Sequence, residues 1–375
     1  MALVAIQTPH YAHNYGAQLQ AYALGIAVKS LGYDIEYIDR RPPYYFEYAN
    51  ILDKWLKKIQ LNTEGKGFLE FENLYLIPKS RQILYNRDYS FLDTTRYCAI
   101  IVGSDQIWRD DYFFHSFEYS PYLYFIKDKS IKKISYAASF GKDTCKHPEE
   151  RRRKIEDLLH DFSAISVREI SGINILKEVY HVQGQWVLDP TLLHKAEVYI
   201  ENLGLSKKEI NNNEIVTYIL GASSQNMKTI DSLGKSMRIS INHIYKRSTY
   251  WWMYKRPFSL LKRYKSVPSV FSWLDNILNA KYVFTDSFHG MVFCIIFKKQ
   301  FIVMNNKAGG TERFTSLLDK LGLANRLCDW ESSVEEVKEL LFTPIDYEMV
   351  HTRLDNYRKD SYVFLKENLC NSNIK

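Results

Sequence analysis

Five short polar stretches carry the side chains best placed to do chemistry: "HNYGAQ", "VGSDQIW", "SVRE", "TDSFHG" and "NKAGGTERF". In "TDSFHG" the imidazole of His289 stands between the apolar runs "KYVFTD" and "MVFCIIF". It is the residue of that stretch able to exchange a proton near neutral pH. Asp286 or Ser287 can cap a following helix, and the backbone at Gly290 then lies in the anion-favouring first turn. A core histidine satisfied by a carbonyl is the structural alternative. "NKAGGTERF" offers a second anion cradle, with a Gly-rich turn, Thr311 as helix cap and Arg313 in the first turn. Arg168 follows the apolar "AIS", where its planar fork suits carboxylate or phosphate more than a solvated surface role. Ser104, Asp105 and Gln106 follow "CAIIVG", and Asp105 either caps the next turn or orients an acceptor hydroxyl. Asn14, Tyr15, Gly16 and Gln18 open a helix whose free N–H groups favour an anion or a hydroxyl; an Asn cap with a packing glycine is the alternative. The pattern is not GxGxxG, so a dinucleotide is not indicated.

These stretches need strands to present them, because in an open α/β sheet ligands lie beyond the carboxyl ends of the strands. "ALVAI", the helix "GAQLQAYALGIAVKSLG" and "YDIEYID" read as one βαβ unit, with Leu19, Tyr22, Ala23, Ile26 and Ala27 on one buried helix face. After an irregular aromatic and basic insertion over about 40–96, alternation resumes with "CAIIVGSD", "KISYAAS", a charged helix, "AISVRE" and "QWVLD". A second block runs from "EIVTYILG" through "ISINHIY", "KYVFTD" and "QFIVMNN" to the helix "RFTSLLDKLG". The expected fold class is α/β, with two Rossmann-like lobes facing across a cleft. The expected limits are an acceptor-side lobe over 1–193, a linker over 194–213, a donor-side lobe over 214–345 and a helical tail over 346–375 able to pack back on the first lobe.

Composition narrows the class. The chain has 375 residues, 46% hydrophobic and 25% charged, enough for two globular domains. Five scattered cysteines without CxxC spacing argue for reduced thiols and imply neither a disulfide framework nor a metal site. The opening lacks a basic n-region, and no run reaches the roughly 18 apolar residues of a membrane span, so a cytoplasmic location is expected. A net charge of +7 favours anionic partners. No compact recognition motif accompanies it, which disfavours nucleic acid.

The ordered set "NYGAQLQAYAL", "IIVGSDQIW", "SVRE", "VLDPTLL", "TDSFHG" and "RFTSLL" resembles the polysaccharide pyruvyl transferase family from near the start to about Gly322. The resemblance implies a GT-B-like glycosyltransferase architecture and transfer of pyruvate from phosphoenolpyruvate to two sugar hydroxyls as a cyclic ketal, with phosphate released. It implies no cofactor beyond this co-substrate. His289 aligns with the family's catalytic histidine and is the expected general acid, with Asp105 as orienter or base for the acceptor. Arg168, Arg313, Ser287, Thr311 and Gly290 are the expected donor contacts; Asn14, Tyr15, Gly16, Gln18, Ser104 and Gln106 are the expected acceptor contacts. Two departures stand out: many relatives carry Arg where this chain has Ser287, and an acidic residue where it has Ala17.

Between Asp231 and Asp275 no acidic residue occurs, while positions 246–265 interleave Lys and Arg with Tyr, Trp and Phe. Such a stretch suits an anionic membrane surface at the inner face of the cytoplasmic membrane, and an undecaprenyl-diphosphate-linked acceptor; a solvated insertion is the alternative. Two other functions fit the same pattern, a nucleotide-sugar glycosyltransferase and a noncatalytic glycan-binding partner in surface-polymer assembly.

Overall fold

A computed structural model describes residues 1–11, 13–41, 66–110, 119–208, 211–221, 224–244, 268–305 and 310–369. The basic aromatic stretch 246–265 lies outside the described residues.

The first sheet is parallel and holds β1 (Leu3–Gln7), β2 (Asp34–Tyr37), β3 (Tyr97–Val102), β4 (Lys132–Ala138), β5 (Ala164–Val167) and β6 (Gln185–Trp186), in the order β2-β1-β3-β4-β5-β6. Helix α1 (Tyr15–Ser30) joins β1 to β2, and α2 (Lys66–Tyr75) falls within the irregular insertion. Helices α3 (Glu149–His160) and α4 (Ile170–Val179) follow β4 and β5. The near-continuous apolar runs have their physical reason here: Val4, Ala5, Ile6, Ile100 and Ile101 are fully buried, as strands covered on both faces must be.

The second sheet, also parallel, holds β7 (Asn211–Tyr218), β8 (Ser240–His243), β9 (Ala280–Thr285), β10 (Gln300–Met304) and β11 (Leu327–Cys328), in the order β11-β10-β9-β7-β8. Its helices are α6 (Ser224–Met237), α7 (Val270–Leu278), α8 (Phe288–Ile296) and α9 (Glu312–Leu321), with α10 (Val334–Phe342) after β11. A short helix, α5 (Ala196–Asn202), occupies the segment between the sheets.

Both sheets share one topology. Counted within its own lobe, each places strand 1 between strands 2 and 3, so connections leave in opposite directions from strands 1 and 3. Such a reversal opens a crevice beyond the strand ends. In the first lobe it lies between β1 and β3, beside Thr8 and Ser104; in the second it lies between β7 and β9, beside Gly221 and Asp286.

Tyr15 and the last helix help to join the lobes. Tyr15 stacks on Trp273 at 4.9 Å between ring centroids and donates its hydroxyl to Pro268 O at 2.7 Å. The last helix, α11 (Tyr347–Leu369), crosses both units. Its Ser361 Oγ accepts from Leu188 N at 3.0 Å, and Arg358 donates to Leu192 O at 2.6 Å and to His194 O at 3.2 Å. His351 bonds Ile295 O at 3.0 Å on the second lobe. Among the described residues no helix is long and apolar enough to cross a membrane.

Candidate active site

Helix α8 begins as the hexapeptide suggests. Ser287 is its N-cap, with Oγ accepting from Gly290 N at 3.4 Å. Gly290 is required by packing, since a Cβ there would sit 2.3 Å from Thr285 Oγ1. Asp286 does not cap α8; its carboxylate accepts from Leu220 N at 2.5 Å and Gly221 N at 2.7 Å, locking the β7–β9 crevice. Burial pushes the Asp286 carboxyl above the usual range, against the pull of those two N–H groups and Arg313.

His289 projects from α8 onto the other lobe. Its ring lies against the start of α1, where a Cβ on Gly16 would fall 2.0 Å from Nδ1. Its Nε2 faces Asp189 Oδ2 at 3.6 Å. Asp189 caps the short 3-10 turn Pro190–Leu193, with Oδ1 accepting from Thr191 N at 3.0 Å and Thr191 Oγ1 at 2.6 Å. Its Oδ2 accepts from Ser104 Oγ at 2.7 Å and Arg168 Nη1 at 3.0 Å. Burial alone would raise the Asp189 carboxyl, but the neighbouring His289 and Arg168 outweigh it and hold it far below the usual range.

Arg168 is the hub of the first-lobe wall. Besides Asp189 it donates from Nε to Glu169 Oε1 at 2.9 Å, places Nη2 3.9 Å from Asp105 Oδ1 and covers the Phe288 ring at 4.5 Å. Glu169 Oε1 also accepts from Ser139 Oγ at 2.7 Å. Burial works against the guanidinium charge, yet Glu169, Asp189 and Asp105 raise its pKa. The sequence places this fork on a ligand; the structure gives it to protein carboxylates, because three of them converge beyond the ends of β3, β5 and β6.

Arg313, in the first turn of α9, is the opposite case. It is half-buried, and its buried Nε has no hydrogen-bond partner. Burial and the positive charge of Arg168 bring its pKa down to about 10, with Asp286, Glu169 and Asp105 opposing. Thr311 does not cap α9 by its side chain; its Oγ1 donates to Asn305 Oδ1 at 2.8 Å. Gly310 enables the lobes to meet, since a Cβ there would lie 2.4 Å from Gly141 O.

The expected acceptor contacts divide. Asn14 is the cap of α1, accepting from Gly16 N at 3.0 Å, and Gly16 packs on His289. Tyr15 and Gln18 are corrected: both are fully buried, Tyr15 binding the lobes together and Gln18 donating to Phe68 O at 3.1 Å. Neither offers surface to a sugar. Ser104 is likewise sealed and serves Asp189. Gln106 lies under Gly141 and accepts from Arg109 at 2.9 Å. Asp105 keeps 22% of its side chain exposed and holds a left-handed backbone (φ 74°), a region that aspartate enters more readily than most non-glycine residues.

Asp189 and Glu169 are site residues that residue-by-residue reasoning does not single out. The signal for Asp189 is present, since Asp-Pro after the apolar "WVL" marks a cap at a strand end, where this fold binds ligands. One group among the described residues, His10, Asp39 and Glu72, has its ligand atoms close enough to hold a metal. Its two carboxylates are already engaged by Arg41 and Lys79, with Arg41 Nε 2.7 Å from Asp39 and Lys79 Nζ 2.8 Å from Glu72.

The arrangement can move a proton beside a cation: an imidazole at a helix start, backed by a carboxylate, with a half-buried guanidinium that has no ion pair among the described residues. Solved structures similar to this chain share its fold at low identity. The UDP-GlcNAc 2-epimerase of Neisseria meningitidis has a TM-score of 0.54 and 11% identity, with 98% of this chain and 99% of that one covered. For the UDP-GlcNAc 2-epimerase of Methanocaldococcus jannaschii the values are 0.51 and 15%, over 92% and 93%. For the glycotransferase of kitacinnamycin they are 0.50 and 10%, over 98% and 99%. The two lobes therefore form a GT-B-like glycosyltransferase architecture. A comparison with curated protein sequences finds no match. The family model described as polysaccharide pyruvyl transferase matches residues 14–308, a span that holds Asp105, Arg168, Asp189 and His289 and ends just before Arg313. The chain belongs to the polysaccharide pyruvyl transferase family.

Proposed function

We propose that this transferase moves pyruvate from phosphoenolpyruvate to two hydroxyls of a sugar in a surface polysaccharide or its lipid-linked precursor. One observation carries the donor assignment: Arg313 is a half-buried cation whose inward Nε has no hydrogen-bond partner and which has no ion pair among the described residues, at a helix start that itself attracts anions. A small trianion supplies the missing charge. In this reading Arg313 and the first turns of α8 and α9 hold the donor, while Arg168 keeps the opposite wall in shape.

His289 gives its proton to the methylene carbon of the enol phosphate, forming the C–H bond and leaving oxocarbenium character on the adjacent carbon. A sugar hydroxyl attacks that carbon, and the neutral imidazole takes up the proton it releases. Phosphate then departs with the C–O bonding pair, the second hydroxyl closes the ketal, and its proton leaves with the phosphate. Asp105, the partly exposed carboxylate of the site, is the proposed orienter of the acceptor.

The deciding measurement is incubation with phosphoenolpyruvate and a panel of sugar acceptors, read as phosphate release and the added mass of a pyruvylidene group. No product from any acceptor, with no calorimetric binding of phosphoenolpyruvate, refutes the reading. A thermal-shift ranking that places UDP-, GDP- or CMP-sugars above phosphoenolpyruvate favours a nucleotide-sugar transferase instead. The proposed acceptor is undecaprenyl-diphosphate-linked, and the charge pattern of 246–265 supports docking at an anionic membrane. Absence of sedimentation with anionic liposomes, or binding unaffected by charge reversal in 246–265, refutes the docking.

A further inference from the structure

We propose that Asp189 is the positioning residue of His289, holding the buried Nε2 so that Nδ1, above Gly16, is the nitrogen that exchanges protons with the ligand. The catalytic consequence rests on the pyruvyl-transfer reading; the positioning itself does not.

The two ring nitrogens are in different surroundings. Nε2 is buried, has no hydrogen-bond partner, and points at Asp189 Oδ2 across 3.6 Å. That separation is within ion-pair range and beyond the length of a hydrogen bond. Nδ1 lies over Gly16, where a Cβ would fall 2.0 Å away, so only a bare Cα leaves the ring and its Nδ1 edge this position. The Phe288 ring stands edge-on at 5.1 Å and is itself pinned beneath Arg168.

Asp189 is suited to fix the ring because it cannot turn. Its two oxygens accept four hydrogen bonds, from Thr191 N, Thr191 Oγ1, Ser104 Oγ and Arg168 Nη1. All four donors belong to the first lobe, whereas His289 belongs to the second. The proton-transfer group is therefore assembled only when the lobes meet. With Nε2–H directed at Asp189, the proton given to the methylene carbon leaves Nδ1 and the proton of the first hydroxyl returns there. Asp189 stays ionised throughout, so no proton is relayed to it.

The test uses the full chain with 15N-labelled histidine rings and no ligand, assigning His289 by the signal missing in His289→Gln. The expected result is a proton-bearing Nε2 in slow exchange with water that is lost in Asp189→Ala. Should that variant fail to fold, Gly16→Ala reads the same contact from the other side of the ring and is expected to lose the same signal. In turnover, Gly16→Ala and Asp189→Ala lower kcat about a hundredfold with the KM for phosphoenolpyruvate within twofold, the cost of a misplaced group. Persistence of the Nε2–H signal in the folded variants, or a wild-type ring protonated at Nδ1 instead, overturns the assignment. A protein that shows the signal and loses it as expected, but turns over no phosphoenolpyruvate, refutes pyruvyl transfer and leaves the positioning role standing.

Discussion

The two walls of the cleft carry their charges differently. On the first-lobe wall Arg168, Asp189, Glu169 and Asp105 form a closed network in which the cation is shared among three carboxylates. On the second-lobe wall Arg313 has no ion pair among the described residues, and the inward nitrogen of His289 makes no hydrogen bond. A satisfied network gives rigidity; an unsatisfied cation stores attraction for a ligand. The arginine that a motif makes conspicuous is thus the one tied to carboxylates, and the less conspicuous Arg313 is the one proposed to meet the donor.

The largest effect expected from this contrast is on stability. Arg168→Met leaves Asp189 and Glu169 buried without their cation and should cost about 3–5 kcal/mol in denaturant unfolding. Arg313→Met removes a half-buried cation that has no ion pair among the described residues, so unfolding should change by less than about 1 kcal/mol while the KM for phosphoenolpyruvate rises at least tenfold. Equal destabilisation by the two substitutions would break the comparison.

Next comes catalysis. His289→Gln should lower kcat about a hundredfold or more, with the unfolding midpoint close to wild type. An unchanged rate in a folded variant removes the proton-donor role.

The pH dependence of stability should divide in the same way. Asp189 titrates far below its unfolded value, so its contribution is complete above about pH 4 and is lost as the pH falls towards its folded pKa. Asp286 titrates above its unfolded value, so it contributes in the opposite sense, gaining stability as the pH falls through its raised pKa. In acid titrations followed by circular dichroism, Asp189→Asn should flatten the acid limb, whereas Asp286→Asn should steepen it. A matching response from both substitutions contradicts the assigned environments.

The smallest effect is expected at Ser287, where the family resemblance leads one to expect Arg. Ser287→Arg removes the cap on Gly290 N, costing about 1 kcal/mol, and adds a cation to the wall that is short of counter-charges. Binding of phosphoenolpyruvate by calorimetry should tighten several-fold; weaker binding would mean that Arg313 alone completes the donor site.

Much of this molecule was legible in its sequence because local pattern specifies local structure. Buried parallel strands need continuous apolar runs, and the runs at β1, β3, β9 and β10 sit where those runs occur. The caps at Asn14 and Ser287 follow from side chains that satisfy bare N–H groups within three residues of themselves. The six ordered motifs identified the family for the same reason, since each marks a strand end or helix start. Only the tertiary structure decided how charges distant in the chain are shared. Arg168 and Asp189 stand 21 residues apart, Ser104 and Asp189 stand 85 apart, and His289 comes from the other sheet. Whether a guanidinium is free or occupied depends on which carboxylates the packed strands bring within a few ångströms, and no local pattern encodes that distance. Tyr15 shows the same limit: its hydroxyl suits a sugar until Trp273 and Pro268, more than 250 residues away, bury it.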